Sequence, residues 1–307
     1  MNRRTFIKTG IAAMAGMSLI DVTAKTTAED RLFVKHFSSP EDLARYTRLD
    51  ALTQPLLMVH MAGYSPQGGL PECAIESAER VLRTGPGMIE IDVRTSADGE
   101  LVCVHDRALD RSTTGSGLVK EVTAKYIAQL YLRDVLAVVT PYRVPTLDEF
   151  LDWGKKGALL WLDVKAAEPD IIVAKIREHS AEARVIVSAY GLSSVKAYQS
   201  LAPDLLYFIP LIADQGLPDL EAVLVAGIDP GHMIGFAGWY IPNIKATVAM
   251  TERNIPALLD LSRADRHLRP DQLDWRLYTN AVKEGFPMLN TNQYKKVLEI
   301  LKITDWA

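Results

Sequence analysis

Eight short apolar runs alternate with segments of helical periodicity, and this alternation limits the possible folds more than any other feature of the 307-residue chain. The runs occupy residues 55–60, 88–94, 158–165, 184–190, 205–212, 233–238, 255–261 and 286–292. Eight strand–helix units are the number that a (β/α)8 TIM barrel requires. The alternative is an open doubly wound sheet, but no glycine-rich phosphate loop follows the first run. The sequence therefore predicts an α/β fold of the (β/α)8 barrel type.

The segment 100–145 interrupts this alternation. A second strand-like run, ELVCVHD, closely follows the run at 88–94 and leads into a polar stretch. We interpret the segment as a small insertion after the second strand. In a barrel, such a connection lies over the carboxyl ends of the strands, where ligands bind. Residues 31–307 are thus predicted to form a single barrel domain.

The first thirty residues have a different character. A basic segment, NRRTFIK, precedes a mild apolar run, GIAAMAGMSLI, and the small-residue stretch VTA. This order is typical of a secretory signal, and the paired Arg3 and Arg4 favour the twin-arginine type. We predict that residues 1–30 are a signal peptide and that the mature protein is periplasmic or secreted. The alternative is a frayed basic N-terminus.

Charge and hydropathy restrict the partners. The formal net charge is −4 and the chain has no long run of Lys or Arg, which argues against nucleic acid. No apolar run is long enough to predict a stable membrane span. We therefore expect a small-molecule ligand. The two cysteines, Cys73 and Cys103, could pair in an oxidising compartment, although Cys103 lies in an apolar run typical of a small buried residue.

Charged residues interrupt the second and third runs near their carboxyl ends. Glu90 and Asp92 are two residues apart, so they face the same side of a strand, with Arg94 next in line. Asp163 and Lys165 repeat this spacing. Converging carboxylates repel one another unless a cation intervenes, and three of them suit Mg²⁺ or Ca²⁺. The alternative is that Glu90 and Asp92 form structural salt bridges with Arg94 and Lys165.

Two histidines lie beside the predicted metal site. His60 ends the first run, and His105 belongs to the strand-like run after the second. A pair of histidines can supply a general acid and a general base, while Lys165 would balance negative charge on the substrate or transition state. The combination suits an anionic ester, above all a phosphodiester.

The motifs that surround these residues resemble those of the glycerophosphodiester phosphodiesterases. In order, they are LMVHMAG, PE, MIEIDVRTSADGELVCVHDRALDRSTTGSG, VPTLDEFLDW and LLWLDVK, within about residues 57–165. The resemblance implies a (β/α)8 barrel, a divalent cation, and hydrolysis of glycerophosphodiesters to an alcohol and glycerol 3-phosphate. It also assigns roles to residues of this chain, as follows: His60 and His105 as the catalytic pair, Glu90 and Asp92 as metal ligands, Asp163 at a position that is commonly a ligating Glu, Lys165 as the basic residue that follows, and Glu72 as the acid of a Pro-Glu-Asn motif.

The chain also departs from the family pattern. Met61 stands where the family has an Arg that contacts phosphate, Cys73 stands where an Asn follows Pro-Glu, and a late Trp-Thr-x-Asn stretch is missing. We expect Met61 to weaken phosphate binding. Trp239 is a candidate apolar wall for the substrate alcohol, with simple packing as the alternative, and Glu72 and Arg94 are further candidates for substrate binding.

These departures leave the substrate open. The His-Met pair and the Asp-x-Lys of 163–165 resemble the related sphingomyelinase D and phospholipase D barrels, which cleave choline phospholipids. Head-group cleavage of a phospholipid or lysophospholipid is therefore an alternative function. A barrel that binds phosphate esters without turnover is another. In either catalytic case, attack by a neighbouring substrate hydroxyl would give a cyclic phosphate first.

Overall fold

Eight parallel strands, counted over the described part of the chain, close into a barrel. The structure is a computed structural model, and it describes residues 31–211, 218–239, 241–266 and 270–307. The predicted signal segment, 1–30, lies outside the described residues. Leu32–Ala307 form one compact unit.

The barrel strands coincide with the eight apolar runs of the sequence. In chain order, the strands of the described residues are β1 (Leu56–Val59), β2 (Met88–Thr95), β3 (Leu101–Cys103), β4 (Tyr131–Arg133), β5 (Val139–Arg143), β6 (Leu160–Ala166), β7 (Val185–Ser188), β8 (Leu206–Pro210), β9 (Met233–Trp239), β10 (Ala257–Asp260) and β11 (Met288–Thr291). The barrel runs β1-β2-β6-β7-β8-β9-β10-β11, and pairing of β1 with both β2 and β11 closes it. The predicted (β/α)8 TIM barrel is confirmed.

Helices surround the barrel and cover one end of it. In the described residues they are α1 (Pro40–Thr47), α2 (Ile75–Thr84), α3 (Ala124–Ile127), α4 (Leu147–Gly154), α5 (Pro169–Glu178), α6 (Gly191–Leu201), α7 (Leu220–Val225), α8 (Ile244–Thr251), α9 (Ser262–Asp265), α10 (Arg276–Lys283) and α11 (Tyr294–Leu301). Leu43 and Ala44 of α1 pack with the first residues of the strands, so α1 covers the amino ends of the barrel. Of the helices in the described ranges, none has the length and apolar character needed to cross a bilayer.

Alternate strand residues form two separate cores. The side chains that fill the barrel interior include Leu56, Met58, Met88, Trp161, Ile186, Leu206, Phe208, Ile234, Phe236, Leu258 and Met288. The intervening residues, such as Val59, Ile89 and Ile91, pack against the surrounding helices. Because side chains alternate along a strand, Glu90 and Asp92 share the inward face with Met88. The two carboxylates therefore lie inside the barrel near its carboxyl end.

The insertion follows the second barrel strand, as predicted. β3 pairs antiparallel with β2, and β4 and β5 form a separate two-stranded sheet. A small apolar core of its own, including Val104, Leu109 and Leu132, holds the insertion together. Gly69 N–H donates to Asp134 Oδ2 at 2.7 Å, which ties the insertion to the β1–α2 connection. The insertion thus lies beside the carboxyl end of the barrel.

Candidate active site

A cavity of about 640 Å³ opens at the carboxyl ends of the barrel strands. Six of the residues that we selected from the sequence line it: His60, Glu90, His105, Asp163, Lys165 and Trp239. Parallel strands bring their carboxyl ends to one edge of a sheet, which is why residues distant in sequence meet here.

Three carboxylates converge at one side of this cavity. Glu90, Asp92 and Asp163 each offer an oxygen, and these atoms lie within 4.8 Å of one another. Asp92 and Asp163 are directly paired in the register of β2 and β6. Glu90 and Asp92 are buried, with only 3% and 1% of their surfaces exposed. The sequence prediction of a convergent acidic cluster therefore agrees with the geometry.

Lys165 lies between two of these carboxylates. Its Nζ is 2.5 Å from Asp163 Oδ2 and 3.2 Å from Asp92 Oδ1. Burial opposes the ammonium charge, but the neighbouring carboxylates outweigh it and raise the pKa of Lys165. Burial raises the pKa of Glu90 well above its usual range, and the negative charges of Asp92 and Asp163 raise it further. One lysine therefore leaves the cluster with too little positive charge.

The donor set fits a hard divalent cation. Asp92 Oδ1 is buried and accepts no well-oriented hydrogen bond from the residues that the structure describes. Clustered carboxylate oxygens are the ligands that Mg²⁺ and Ca²⁺ prefer. The competing salt-bridge interpretation holds for Lys165 but not for Arg94, whose guanidinium donates to the carbonyl oxygen of His105 at 2.7 and 3.0 Å.

A sharp turn directly after β1 completes the acidic side. Met61, Ala62 and Gly63 have φ angles of 50°, 59° and 79°, a left-handed conformation that costs free energy outside glycine. The turn directs Met61 N–H toward Glu90 Oε2, at 2.5 Å. At Gly63 an added Cβ would lie 2.1 Å from Val81 Cγ2, so only glycine fits without a shift. The strained turn therefore fixes both the backbone at His60 and the Glu90 carboxylate.

A neutral amide orients the His60 ring. His60 Nδ1 lies 2.8 Å from Asn292 Oδ1. Asn292 Nδ2 donates to Ser262 O and to Asp265 Oδ1, both at 2.7 Å, so its oxygen must face the histidine. An amide oxygen only accepts, and Nδ1 therefore carries a proton. Nε2 is left as the ring nitrogen available to a ligand in the cavity.

A carboxylate orients the His105 ring. His105 Nδ1 lies 2.7 Å from Asp106 Oδ1, and Arg111 Nε donates to Asp106 Oδ2 at 2.5 Å. Burial would raise the pKa of Asp106, but the hydrogen bonds from Arg111 and His105 outweigh it and lower the pKa to about 2. Asp106 therefore stays ionised. The sequence analysis placed His105 on a strand, and this was wrong: the strand ends at Cys103, and His105 lies in the loop just after β3.

Three further residues that were predicted for the site do not line the cavity: Glu72, Arg94 and Met61. Glu72 accepts two hydrogen bonds from Arg111, at 2.6 and 2.8 Å, and so supports Asp106. Arg94 holds the backbone of His105, and Met61 is fully buried. Substrate contact by these three residues stays a prediction, and their observed contacts give them supporting positions.

The two cysteines are both buried free thiols. Cys73 Sγ lies 3.4 Å from Asp92 Oδ2. Burial raises the pKa of the Cys73 thiol, and the charge on Asp92 raises it further. The disulfide that the sequence left open is not formed, and Cys73 packs directly behind the acidic cluster.

Apart from Trp239, the opposite side of the cavity is built from residues that we did not identify from the sequence. Aromatic rings follow one another from Trp161 to Phe208, Phe236 and Trp239, with centroid separations of 4.6, 5.8 and 5.0 Å. Arg263 stacks on Trp239 at 4.1 Å. Except for Trp239, these rings have the strand-internal positions of ordinary core residues, so no sequence signal separated them from packing.

Two other residues missed from the sequence hold the site together. Tyr190 OH donates to Asp163 Oδ1 at 2.7 Å, and Asn292 orients His60. Asn292 follows the last apolar run at its carboxyl end, so the strand-end rule that selected Asp163 could have found it. Tyr190 likewise ends the run at 184–190.

The family model and the curated relatives that match this chain name the same protein family. The model of the glycerophosphoryl diester phosphodiesterase family matches residues 63–211. A glycerophosphodiester phosphodiesterase of Caldanaerobacter subterraneus subsp. tengcongensis is 33% identical over 144 residues, which cover 44% of this chain and 59% of that protein. One of Bacillus subtilis is 28% identical over 174 residues, which cover 50% and 59%. The chain thus matches about three fifths of the length of these curated relatives.

Solved structures support the fold. A glycerophosphoryl diester phosphodiesterase from Parabacteroides distasonis superposes with a TM-score of 0.81 at 22% identity, covering 89% of this chain and 94% of that one. A phosphodiesterase from Oleispira antarctica, solved in complex with the product sn-glycerol-3-phosphate, has a TM-score of 0.61 at 19% identity, with coverage of 82% and 98%. Together, the matched family model, the barrel and the motifs support the glycerophosphoryl diester phosphodiesterase family for this chain.

Proposed function

We propose that this protein hydrolyses glycerophosphodiesters to an alcohol and sn-glycerol 3-phosphate with the help of a divalent cation. One observation carries the proposal: two histidines, each oriented through Nδ1, share one cavity with a buried cluster of three carboxylates. The names of the curated relatives and the product bound to the Oleispira antarctica protein support the same substrate class.

The histidines provide the two proton transfers that diester cleavage needs. One Nε2 accepts the proton of the attacking oxygen, and the other Nε2 donates a proton to the departing alkoxide. Asp106 balances the positive charge on the His105 ring while that ring holds a proton, whereas His60 faces only a neutral amide. We therefore assign His105 as the base of the first step and His60 as the acid.

Charge on the phosphoryl group is balanced from the acidic side. Glu90, Asp92 and Asp163 would hold the cation, which when bound neutralises phosphoryl charge. Lys165 Nζ is already positioned at Asp92 and Asp163 and supplies a further positive charge at the cavity wall. Parallel assays with Mg²⁺ and with Ca²⁺ distinguish the two cations.

The attacking oxygen is proposed to be a hydroxyl of the substrate's own glycerol. A neighbouring hydroxyl is tethered within reach of phosphorus, which avoids the entropic cost of capturing water. Its oxygen forms a bond to phosphorus while the bond to the alcohol breaks, giving a cyclic phosphate. Water then opens the ring, with the two histidines exchanging roles, to give sn-glycerol 3-phosphate.

The test is product identification by phosphorus NMR. Purified protein is incubated with a panel of glycerophosphodiesters and lysophospholipids, with Mg²⁺, Ca²⁺ or chelator. Release of sn-glycerol 3-phosphate from soluble diesters, abolished by chelator, is the expected result. Activity confined to lysophospholipids, with a persistent cyclic product, would support phospholipase D-type cleavage instead. Tight binding of diesters without turnover would support a binding protein.

We also propose export, on the basis of residues 1–30 alone. Expression of the full chain and of a variant with Arg3 and Arg4 replaced by Lys, followed by cell fractionation, tests it. The full chain should appear outside the cytoplasm and the variant inside.

A further inference from the structure

The segment that follows β10 carries two arginines into the cavity, and neither belongs to the acidic side. Arg263 and Arg266 both line the cavity, on and directly after α9. Arg263 lies over the Trp239 ring. Arg266 reaches farther across, and its Nη2 lies 3.2 Å from Met61 Sδ.

A buried anchor fixes the position of Arg266. The preceding residue, Asp265, is fully buried and accepts hydrogen bonds from Thr291 Oγ1 at 2.6 Å and from Asn292 Nδ2 at 2.7 Å. Tyr278 OH also donates to Asp265. Tyr64 OH donates to the Arg266 carbonyl oxygen at 3.4 Å. The backbone at Arg266 is therefore held by Tyr64, which follows β1, and by the end of β11, the strand that pairs with β1.

The charge of Arg266 is poorly matched by its protein partner. A thioether is a weak acceptor, and among the described residues no carboxylate forms an ion pair with Arg266. The side chain is half-buried, so water compensates its charge only in part. A guanidinium held in a cavity without an anion is ready to make charge-assisted, bidentate hydrogen bonds to a phosphoryl group.

We propose that Arg266 binds the phosphoryl oxygens of the ligand from the far side of the barrel, in place of the arginine that the family resemblance implies at position 61. This inference rests on the proposed function, because it names the ligand class as a phosphate ester. The Arg266 guanidinium reaches Met61 from the residue directly after α9, and Met61 itself directly follows His60. Phosphorus would then lie between Arg266 on one side and the carboxylate cluster with its cation on the other.

A phosphate contact from Arg266 changes the effect on phosphate binding that we expect from substitutions at Met61. An Arg at position 61 would place a second guanidinium against Arg266, and like charges at this distance repel. Met61→Arg alone should therefore fail to tighten phosphate binding. In a protein that lacks Arg266, the same substitution should restore the contact.

Binding and turnover are measured in parallel on the full chain with Mg²⁺ and Ca²⁺. The probes are inorganic phosphate and sn-glycerol 3-phosphate by calorimetry, and a soluble glycerophosphodiester for kcat and KM. Arg266→Met should weaken sn-glycerol 3-phosphate binding by about 10- to 100-fold and raise KM more than it lowers kcat. Arg266→Lys should lose less, because it keeps the charge. Met61→Arg combined with Arg266→Met should regain part of the loss.

The control is Arg276→Met, since Arg276 is an exposed residue paired with Asp274 outside the cavity. Thermal unfolding of each variant separates lost contacts from lost folding, and Arg266→Lys tests the proposal if Arg266→Met folds poorly. Wild-type affinity in both Arg266 variants overturns the inference while leaving the proposed hydrolysis intact. A double variant no tighter than Arg266→Met overturns the claim that the two positions serve one phosphoryl group. Wild-type protein that binds neither probe overturns this inference, and absence of turnover separately overturns the proposed function.

Discussion

The cavity has two unlike halves, and each would serve a different part of the proposed hydrolysis. β1, β2, β6 and the loop after β3 provide both histidines, the lysine and the three clustered carboxylates. β8, β9, β10 and the segment from α9 to Arg266 provide aromatic rings and two arginines, and Trp161 of β6 packs beside these rings. Asp260 is the one carboxylate of that half that lines the cavity among the described residues. It accepts from Ser262 N–H at 2.8 Å and belongs to the local turn. We call these two sides the acidic half and the aromatic half.

The two halves differ because one must position charged groups close together and the other must only pack apolar rings. Like charges in contact must be held at fixed positions, because small displacements change their repulsion strongly. The paired register of β2 and β6 fixes these positions. Aromatic rings need only surface area and packing, which any strand can offer. Changes in the acidic half should therefore reduce kcat, and changes in the aromatic half should raise KM.

The largest effect is expected from the two histidines. His60→Ala and His105→Ala should each lower kcat by about 10²- to 10⁴-fold, because each removes one proton transfer. Both variants should still bind metal, since neither ring is assigned as a ligand. Steady-state kinetics across pH should show a bell-shaped profile for wild type and the loss of one limb in each variant.

The matched control for this prediction is His232→Ala. His232 lies just before β9, at the amino end of the barrel, and its Nδ1 contacts Pro203 O at 3.2 Å. It should keep wild-type kcat. Near-normal turnover with an intact bell in either cavity variant would mean that the histidine concerned is structural.

The next effect concerns the carboxylate cluster. Asp92→Asn keeps the side-chain shape but removes a charged ligand, so metal affinity should fall by at least about 10- to 100-fold. Activity should drop with it and recover in part at high metal concentration. Calorimetric metal titration and activity at varied Mg²⁺ and Ca²⁺ measure both.

A second acidic cluster supplies the control. Asp148, Glu178 and His179 also offer closely spaced ligand atoms, but Lys175 Nζ already lies 2.7 Å from Asp148 Oδ2. Asp148→Asn should leave activity and its metal dependence unchanged. Full wild-type activity in the presence of chelator would contradict the assignment of Glu90, Asp92 and Asp163 as ligands.

A smaller effect is expected on stability at low pH, through Asp106. Its pKa is lowered from 3.8 to about 2 in the folded protein, so its contribution to stability is full above pH 4 and is lost as pH falls through 2. The side chain is partly exposed, and solvent screening limits this contribution to on the order of 1 kcal/mol. Asp106→Asn should therefore lower the free energy of unfolding at pH 6 more than at pH 2.5, as measured by urea titration. A loss that is equal at both pH values would indicate lost packing instead of lost charge.

The acidic half was predictable from the sequence because its signals are local. Glu90, Asp92 and Asp163 are charges inside apolar runs, and the two-residue period of a strand fixes the face on which each pair lies. The fold was predictable for a related reason. Eight apolar runs that alternate with helical segments leave few arrangements that bury all of them.

Most of the aromatic half and the contact that orients His60 were not predictable, because they depend on barrel closure. His60 and Asn292 lie 232 residues apart and meet only where β1 pairs with β11. Arg266 lies in a polar segment whose sequence is equally consistent with an exposed surface. Only the closed barrel places it beside Met61.

The smallest predicted effect tests the aromatic half directly. Trp239 lines the cavity beside Phe236 and under Arg263, so its ring can contact the alcohol end of a substrate. A cationic alcohol such as choline would gain about 0.5–1 kcal/mol from the ring face at a partly exposed site. Trp239→Leu should therefore raise KM for glycerophosphocholine by about 2- to 5-fold, leave kcat nearly unchanged, and affect glycerophosphoglycerol less. A fall in kcat with unchanged KM would show that Trp239 acts on the reacting groups, and the division between the two halves would then fail at this residue.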